Sequence, residues 1–307
     1  LSKNESLYSV DGVGDRAPAL VNLKLAKCGL LGTLPRVPDT VEELDISNNL
    51  FSSLTNLPSA LLKFQGKANK LDTIPNLPQV TRIVDLEGNP LDDWNLSSLS
   101  DMSIRDNSET TTTYDLEELN ISGSNNLPTG LDVFGNLNTL VANDISVNSS
   151  LPQLPSSLVS VELENTGITD LDGLSACAGL VKLKAGSNAI SSYSGILSSK
   201  ESLNEVFLNY NNITDGDFSG FTNVKKLHVG DNELDSFTSP NPDELNFVGN
   251  PFSVSAPDLS AIDGDVAIDL DDSNPPRGKS QKYIMPSQQK VDALKTLSTS
   301  STLNVKL

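Results

Sequence analysis

The sequence is short of the residues that most often carry chemistry or cross-links. It holds two cysteines, Cys28 and Cys177, one histidine, one tryptophan and two methionines, and aromatic residues make up 5% of it. Two cysteines do not supply the framework of a small disulfide-stapled fold. The lone histidine, His228, has no serine or cysteine motif near it, so a hydrolytic triad lacks its parts. Neither a GxSxG elbow, a phosphate loop, a kinase signature nor clustered metal-ligand spacing occurs. No apolar run approaches the roughly 18 residues needed to span a bilayer. Positive charge is scarce as well: 21 Lys and Arg stand against 40 Asp and Glu, a formal net charge of −19. That balance argues against nucleic acid and against an anionic membrane surface, and weakly favours a basic partner. We therefore expect no catalytic residues, no metal and no cofactor.

What the sequence does have is a period. Leu203, Val206, Leu208 and Ile213, with Asn211 between the last two, spell LxxLxLxxNxL. The same spacing returns about every twenty residues, as in a solenoid whose coils each bury one thin slice of core. Copies begin at Leu20, Val41, Leu61, Thr81, Leu99, Leu116, Leu137, Leu158, Leu180, Leu203, Val224 and Leu245, and a degenerate one carries Ile268 and Leu270. Within a copy, the xLxL portion alternates with period two and predicts a short strand. An asparagine at the strand exit can turn inward and bond backbone groups that would otherwise be buried unpaired. Asn49, Asn69, Asn89, Asn107, Asn188, Asn211, Asn232 and Asn250 occupy that column, and Cys28 stands in it in the first copy.

On these residues the chain resembles leucine-rich repeat proteins over roughly 20–273. The LPxLPxxLxxL phrasing is similar to bacterial effector repeats, ITDLDGLSACAGLVKLKAGSNAI to internalin-type repeats, and GLLGTLP to plant and oomycete receptor ectodomains. The resemblance implies an α/β-class repeat solenoid, mostly β: a curved horseshoe with one parallel sheet on the concave side. The prolines between strands suit extended turns rather than helices. The convex side should be mainly irregular, 3-10 or polyproline-like, with short helical turns near Leu171–Ala178 and Ser194–Ser202.

Residues 1–19 carry no repeat and read as an N-terminal cap, and 20–273 form the solenoid of about twelve to thirteen repeats. Residues 274–307 are basic where the body is acidic; Val291, Leu294 and Leu297 have helical spacing with Ser287 as N-cap. That segment reads as a cap helix and tail, or alternatively as a linker or oligomerisation arm. Cys28 and Cys177 lie about seven coils apart, about 35 Å at one strand spacing per coil, which no disulfide spans. The run Asp263, Asp265, Asp269, Asp271 and Asp272 lacks the spacing of a calcium loop.

The concave face is where a solenoid of this kind would bind, through the residues flanking the inward leucines. Most of these are polar. Phe207, Tyr210 and His228 stand out on adjacent coils, with Lys184 and Lys226 close by, and exposed aromatics on a rigid face mark candidate hot spots. Glu42, Glu43, Asp45, Glu117, Glu118, Glu162 and Glu164 read as acidic patches or simply as solvated surface. Sequons at Asn4, Asn95, Asn120, Asn148 and Asn212 are about as many as chance supplies in so Asn- and Ser-rich a chain. The chain begins at Leu1 rather than Met, which fits a processed, secreted product. The expected function is a non-enzymatic, extracellular or cell-surface scaffold for a protein or peptide. The competing readings are a self-associating structural subunit of a wall, matrix or fibril, and a host-directed intracellular effector.

Overall fold

Each coil builds its strand from the alternation in the sequence. In the computed structural model the central residue of each main-sheet strand from Asn22–Lys24 to Glu244–Asn246 is buried and its two neighbours are exposed or half-buried, as in Glu43–Asp45, Lys63–Gln65 and Glu205–Phe207. The structure describes residues 13–34, 36–73, 75–92, 114–147, 149–247 and 249–251, together with Lys3, Asp258, 267–269 and 305–306. The chain divides into two compact units, one of Leu1–Ser146 with Gln153–Leu158 and the other of Val147–Pro152 with Val159–Leu307.

In the first unit the strands are β1 (Asn22–Lys24), β2 (Leu31–Thr33), β3 (Glu43–Asp45), β4 (Leu50–Ser53), β5 (Lys63–Gln65), β6 (Ile83–Asp85), β7 (Glu118–Asn120) and β8 (Thr139–Val141). β1, β3, β5, β6, β7 and β8 pair in that order, all parallel and residue for residue. In the second unit β9 (Ser160–Glu162), β10 (Lys182–Lys184), β11 (Glu205–Phe207), β12 (Lys226–His228), β13 (Glu244–Asn246), β14 (Ala267–Asp269) and β15 (Val305–Lys306) follow the same rule.

β6 pairs directly with β7, Ile83 opposite Glu118. The repeat expected at Leu99, Met102 and Ile104 falls in a stretch that is not described. Residues 93–113, and Asn107 with them, lie outside the described residues. The side away from the main sheet is mainly irregular with short 3-10 turns, as the sequence leads one to expect, and it adds one strand pair that the spacing did not show. β2 and β4 form a second parallel pair there, Leu31 opposite Leu50, with Phe51 buried and Leu31 74% exposed. In the second unit that side carries 3-10 turns at Asp172–Leu174 and Ser194–Ser199. It is filled by Phe218, Phe221 and Phe237, which run on to Phe247 just after β13. Gly195 is required in the second of these turns, since a Cβ there would stand 2.0 Å from the Leu171 carbonyl oxygen. At the N-terminus, Val13–Arg16 forms one helical turn and the Lys3 N–H donates to the Ala26 carbonyl. The helix expected between Ser287 and Leu297, and the side chains of the Asp263–Asp272 run, lie outside the described residues.

The strand exit is built the same way in every described coil. One residue takes a left-handed conformation: Lys27, Asn48, Ala68, Gly88, Gly123, Asp144, Asn165, Ser187, Tyr210, Asp231 and Gly249 in turn, with φ between 52° and 75° for all but Gly249 at 80°. An L-residue loses about 1–2 kcal/mol in that conformation, yet eight of these eleven are not glycine. The compensation comes from the next residue. Asn211 Oδ1 accepts the Ile190 N–H at 3.0 Å, and its Nδ2 donates to Ala185 O at 2.9 Å and Leu208 O at 3.0 Å. Asn49, Asn69 and Asn89 do the equivalent in the first unit. Asn232 and Asn250 repeat the pattern in the second. Asn188 varies it, accepting from the N–H groups of Thr166 and Gly167 and from the Thr166 hydroxyl. Cys28 takes the column without such a side chain, and its N–H is accepted by Asn49 Oδ1 at 3.1 Å.

Asn211 is 2% exposed, and truncating it strands the Ile190 N–H inside the protein, while the Ala185 and Leu208 carbonyls keep the amides of Asn188 and Asn232. A buried orphan costs about 1–3 kcal/mol, and Asn211→Ala should therefore lose about 2 kcal/mol of unfolding free energy. Urea denaturation of the two proteins measures this. A loss under about 1 kcal/mol would mean that water or a shifted backbone replaces the side chain.

Candidate functional site

Five strands of the second unit place ten side chains on one open face. Their first slots hold Ser160, Lys182, Glu205, Lys226 and Glu244, and their last slots Glu162, Lys184, Phe207, His228 and Asn246. Parallel register makes each row a line of neighbours one strand apart. Lys184, Phe207 and His228 are consecutive members of the second row.

The rings of Phe207 and His228 meet edge to face, with centroids 4.6 Å apart and planes at 70°. His228 Nε2 lies 2.8 Å from Glu244 Oε1 on the next strand, and since a carboxylate only accepts, that nitrogen carries the proton. Both rings are half-buried: each covers the other, and the pair still presents surface. Tyr210 stands three residues beyond Phe207 in the left-handed position, φ 58°, which is rare for a bulky side chain. Burial raises its phenol pKa, and the Asp231 carboxylate that accepts its hydroxyl adds to the shift.

The lysines expected beside these aromatics are there, but both are engaged. Lys184 Nζ lies 3.1 Å from Glu162 Oε1 and Lys226 Nζ 3.0 Å from Glu205 Oε1. Lys182 joins the same Glu162 oxygen at 2.7 Å. Burial alone would raise the Glu162 pKa; the hydrogen bonds and charges of Lys182 and Lys184 outweigh it and hold the carboxyl below its usual range.

On the first unit the acidic residues of the strand face have work within the fold. Asp45 Oδ1 accepts the Ser47 N–H and Asp85 Oδ1 the Glu87 N–H, each closing the turn after its strand. Asn120 does the same for Ser122, which gives this sequon asparagine a structural task. Glu117 pairs with Arg82 and Glu87 with Lys67. A hollow of about 310 Å³ lies over β5 to β8, lined by Lys63, Gln65, Asp85, Glu118, Asn120 and Val141 among others. Burial raises the Asp85 pKa, partly offset by the Glu87 N–H. Asn212 is half-buried beside the Asn column, and Asn4, Asn95 and Asn148 lie outside the described residues. Cys28 and Cys177 are both buried, and burial pushes the Cys177 thiol up to about 11, well away from a reactive thiolate. Sequence reasoning found the aromatic row but missed the glutamates that tie its cations, because residues a whole coil apart in sequence meet only through the register.

A carboxyl whose folded pKa lies below its unfolded value adds stability above the usual carboxylate range, and that contribution disappears as pH falls through the folded pKa. Wild-type protein should therefore lose stability more steeply than Glu162→Gln between about pH 5 and pH 3. Denaturant titrations across that range test it; equal slopes would remove the ion pairs as a source of stability.

No protein-family model matches the chain, and no characterised protein matches it by sequence. Solved structures match it in fold. YopM from Yersinia enterocolitica is 18% identical with a TM-score of 0.57, the match covering 94% of this chain and 60% of that one. An internalin, inlF, from Listeria monocytogenes is 16% identical with a TM-score of 0.52, covering 100% of this chain and 94% of that one. The plant peptide hormone receptor RGFR1, solved in complex with RGF2, is 20% identical with a TM-score of 0.54, covering 82% and 41%. The chain thus spans about 60% of the length of YopM and less of the plant receptor. With its stacked coils of about twenty residues, parallel strands and inward asparagine column, the chain has the leucine-rich repeat fold.

Proposed function

We propose that this chain is a non-catalytic scaffold that holds a protein or peptide partner against the strand face of its second unit. The observation that carries the reading is the half-exposed Phe207–His228 pair, fixed edge to face on two hydrogen-bonded strands with Tyr210 beside it. Aromatic rings held rigid lose little entropy on binding, and such residues dominate interface energetics. The neighbours in fold support a binding role, and one of them was solved with a peptide hormone bound. The test is selection of peptides from a random display library on the full chain. Phe207→Ala combined with His228→Ala should weaken the selected peptides by about tenfold or more, the loss expected of a hot spot. A control pair on the first unit's face, Lys24→Ala with Gln65→Ala, should leave them bound. Equal loss in both pairs, or in neither, would place the binding surface elsewhere.

We further propose that the protein acts outside the cell, on the strength of its Asn-, Ser- and Thr-rich, lysine-poor composition. Intact mass of natively sourced protein before and after enzymatic deglycosylation decides this. Glycan mass is expected; an unmodified mass would make the sequons incidental and return an intracellular, effector-like role to first place.

A further inference from the structure

The strand face of the second unit differs in charge from the rest of the molecule. The chain carries a formal −19. The strand slots of β1, β3 and β5 to β8 hold four acids, Glu43, Asp45, Asp85 and Glu118, against two lysines, Lys24 and Lys63. Those of β9 to β13 hold three lysines and three glutamates, with His228 besides. The second face is neutral while His228 is neutral, and gains a positive charge when it is protonated. On an acidic molecule, an island of this kind repels an anionic segment least.

Its charges are also unevenly shared. Glu205 and Glu244 each meet one base, Lys226 and His228. Glu162 meets two, and both ammonium groups converge on the same oxygen, Oε1. Two positive charges at β10 therefore share one negative charge, 31% of each lysine side chain remaining accessible. This surplus lies between two apolar surfaces. On one side is Phe207, the register partner of Lys184, with His228 beyond it. On the other is the sheet's entry margin, where Val159 and Val181 are 42% and 39% exposed and are joined by the Val181 N–H to the Val159 carbonyl at 2.8 Å.

We infer that the partner of this face is an acidic–apolar segment: a carboxylate seated at Lys182 and Lys184, and an apolar or aromatic side chain laid against Phe207 and His228. This rests on the proposal that the second unit's strand face is the binding surface, and it reverses the weak preference for a basic partner that the net charge alone suggests. The carboxylate would take one ammonium from Glu162 without leaving that glutamate unpaired, because the other lysine stays. Neither Glu205 nor Glu244 offers such an exchange.

The test uses three end-blocked peptides of sequence Ser-Phe-X-Ser, with X as Asp, Asn or Lys, titrated into the full chain. The imidazole Cε1 proton of His228, from the single histidine in the sequence, reports binding by NMR. The Asp peptide should bind about threefold tighter than the Asn peptide, the yield of one solvated ion pair, and the Lys peptide should bind most weakly. Lys182→Gln with Lys184→Gln should erase the difference between Asp and Asn, whereas Lys182→Arg with Lys184→Arg should keep it. A Lys peptide that binds tightest, or an Asn peptide equal to Asp in the wild type, overturns the charge inference and leaves the binding face standing. No His228 shift with any of the three overturns the binding face itself.

Discussion

Every coil of this protein has to bring its backbone from an outward strand into a buried turn without leaving peptide groups unpaired, and the rest of the architecture depends on how that is done. A left-handed residue makes the bend and the next side chain, usually asparagine, supplies one acceptor and two donors at the point where the chain enters the core. Where the bend is followed by another residue, other groups take over: Asn49 Oδ1 accepts the Cys28 N–H, and the Ser124 hydroxyl donates to the Ile121 carbonyl. Because each asparagine also bonds the coil before it, as Asn211 bonds Ala185 O and the Ile190 N–H, the same device sets the spacing of successive coils. It therefore fixes the strand register, and through the register it fixes which side chains become neighbours on the open face.

That dependence explains what could be read from the sequence and what could not. The inward positions are legible because burial is nearly complete there: Leu203, Val206, Leu208 and Ile213 are all at 0% exposure, and a polar substitute would be costly at any of them. The β2–β4 pair was missed because pairing between exposed residues follows no apolar spacing. Leu31 is 74% exposed, so its place is set by backbone pairing to Leu50, and exposed pairing leaves no hydrophobic trace.

The candidate face was half legible. Phe207 and His228 are conspicuous as aromatics in a polar column, and parallel register makes any two members of a column neighbours once the coils are aligned. The ion pairs were not legible, since they join the first slot of one strand to the last slot of another as well as along rows. Lys182 reaches Glu162 diagonally, and Glu244 reaches His228 the same way. Reading a cation beside an aromatic from spacing alone therefore overstates its freedom: Lys184 and Lys226 each have a glutamate in reach.

The arrangement of these pairs bears on specificity more than on affinity. Exposed ion pairs contribute little to stability, about 0–1 kcal/mol each, so three of them on one face add only modestly to folding. Their larger effect is on what may approach. A face whose charges are already satisfied attracts no strong counter-charge over distance, and the surrounding acidic molecule repels anions until they are close. A partner that gains from Lys182 and Lys184 must then be held first by contact with the rings, because only at contact range does the shared Glu162 release one ammonium. Recognition on such a face would be decided at short range by shape and by the match between an apolar side chain and an adjacent carboxylate. Long-range attraction would contribute little, and this is a discriminating arrangement for a scaffold whose sheet cannot rearrange to fit.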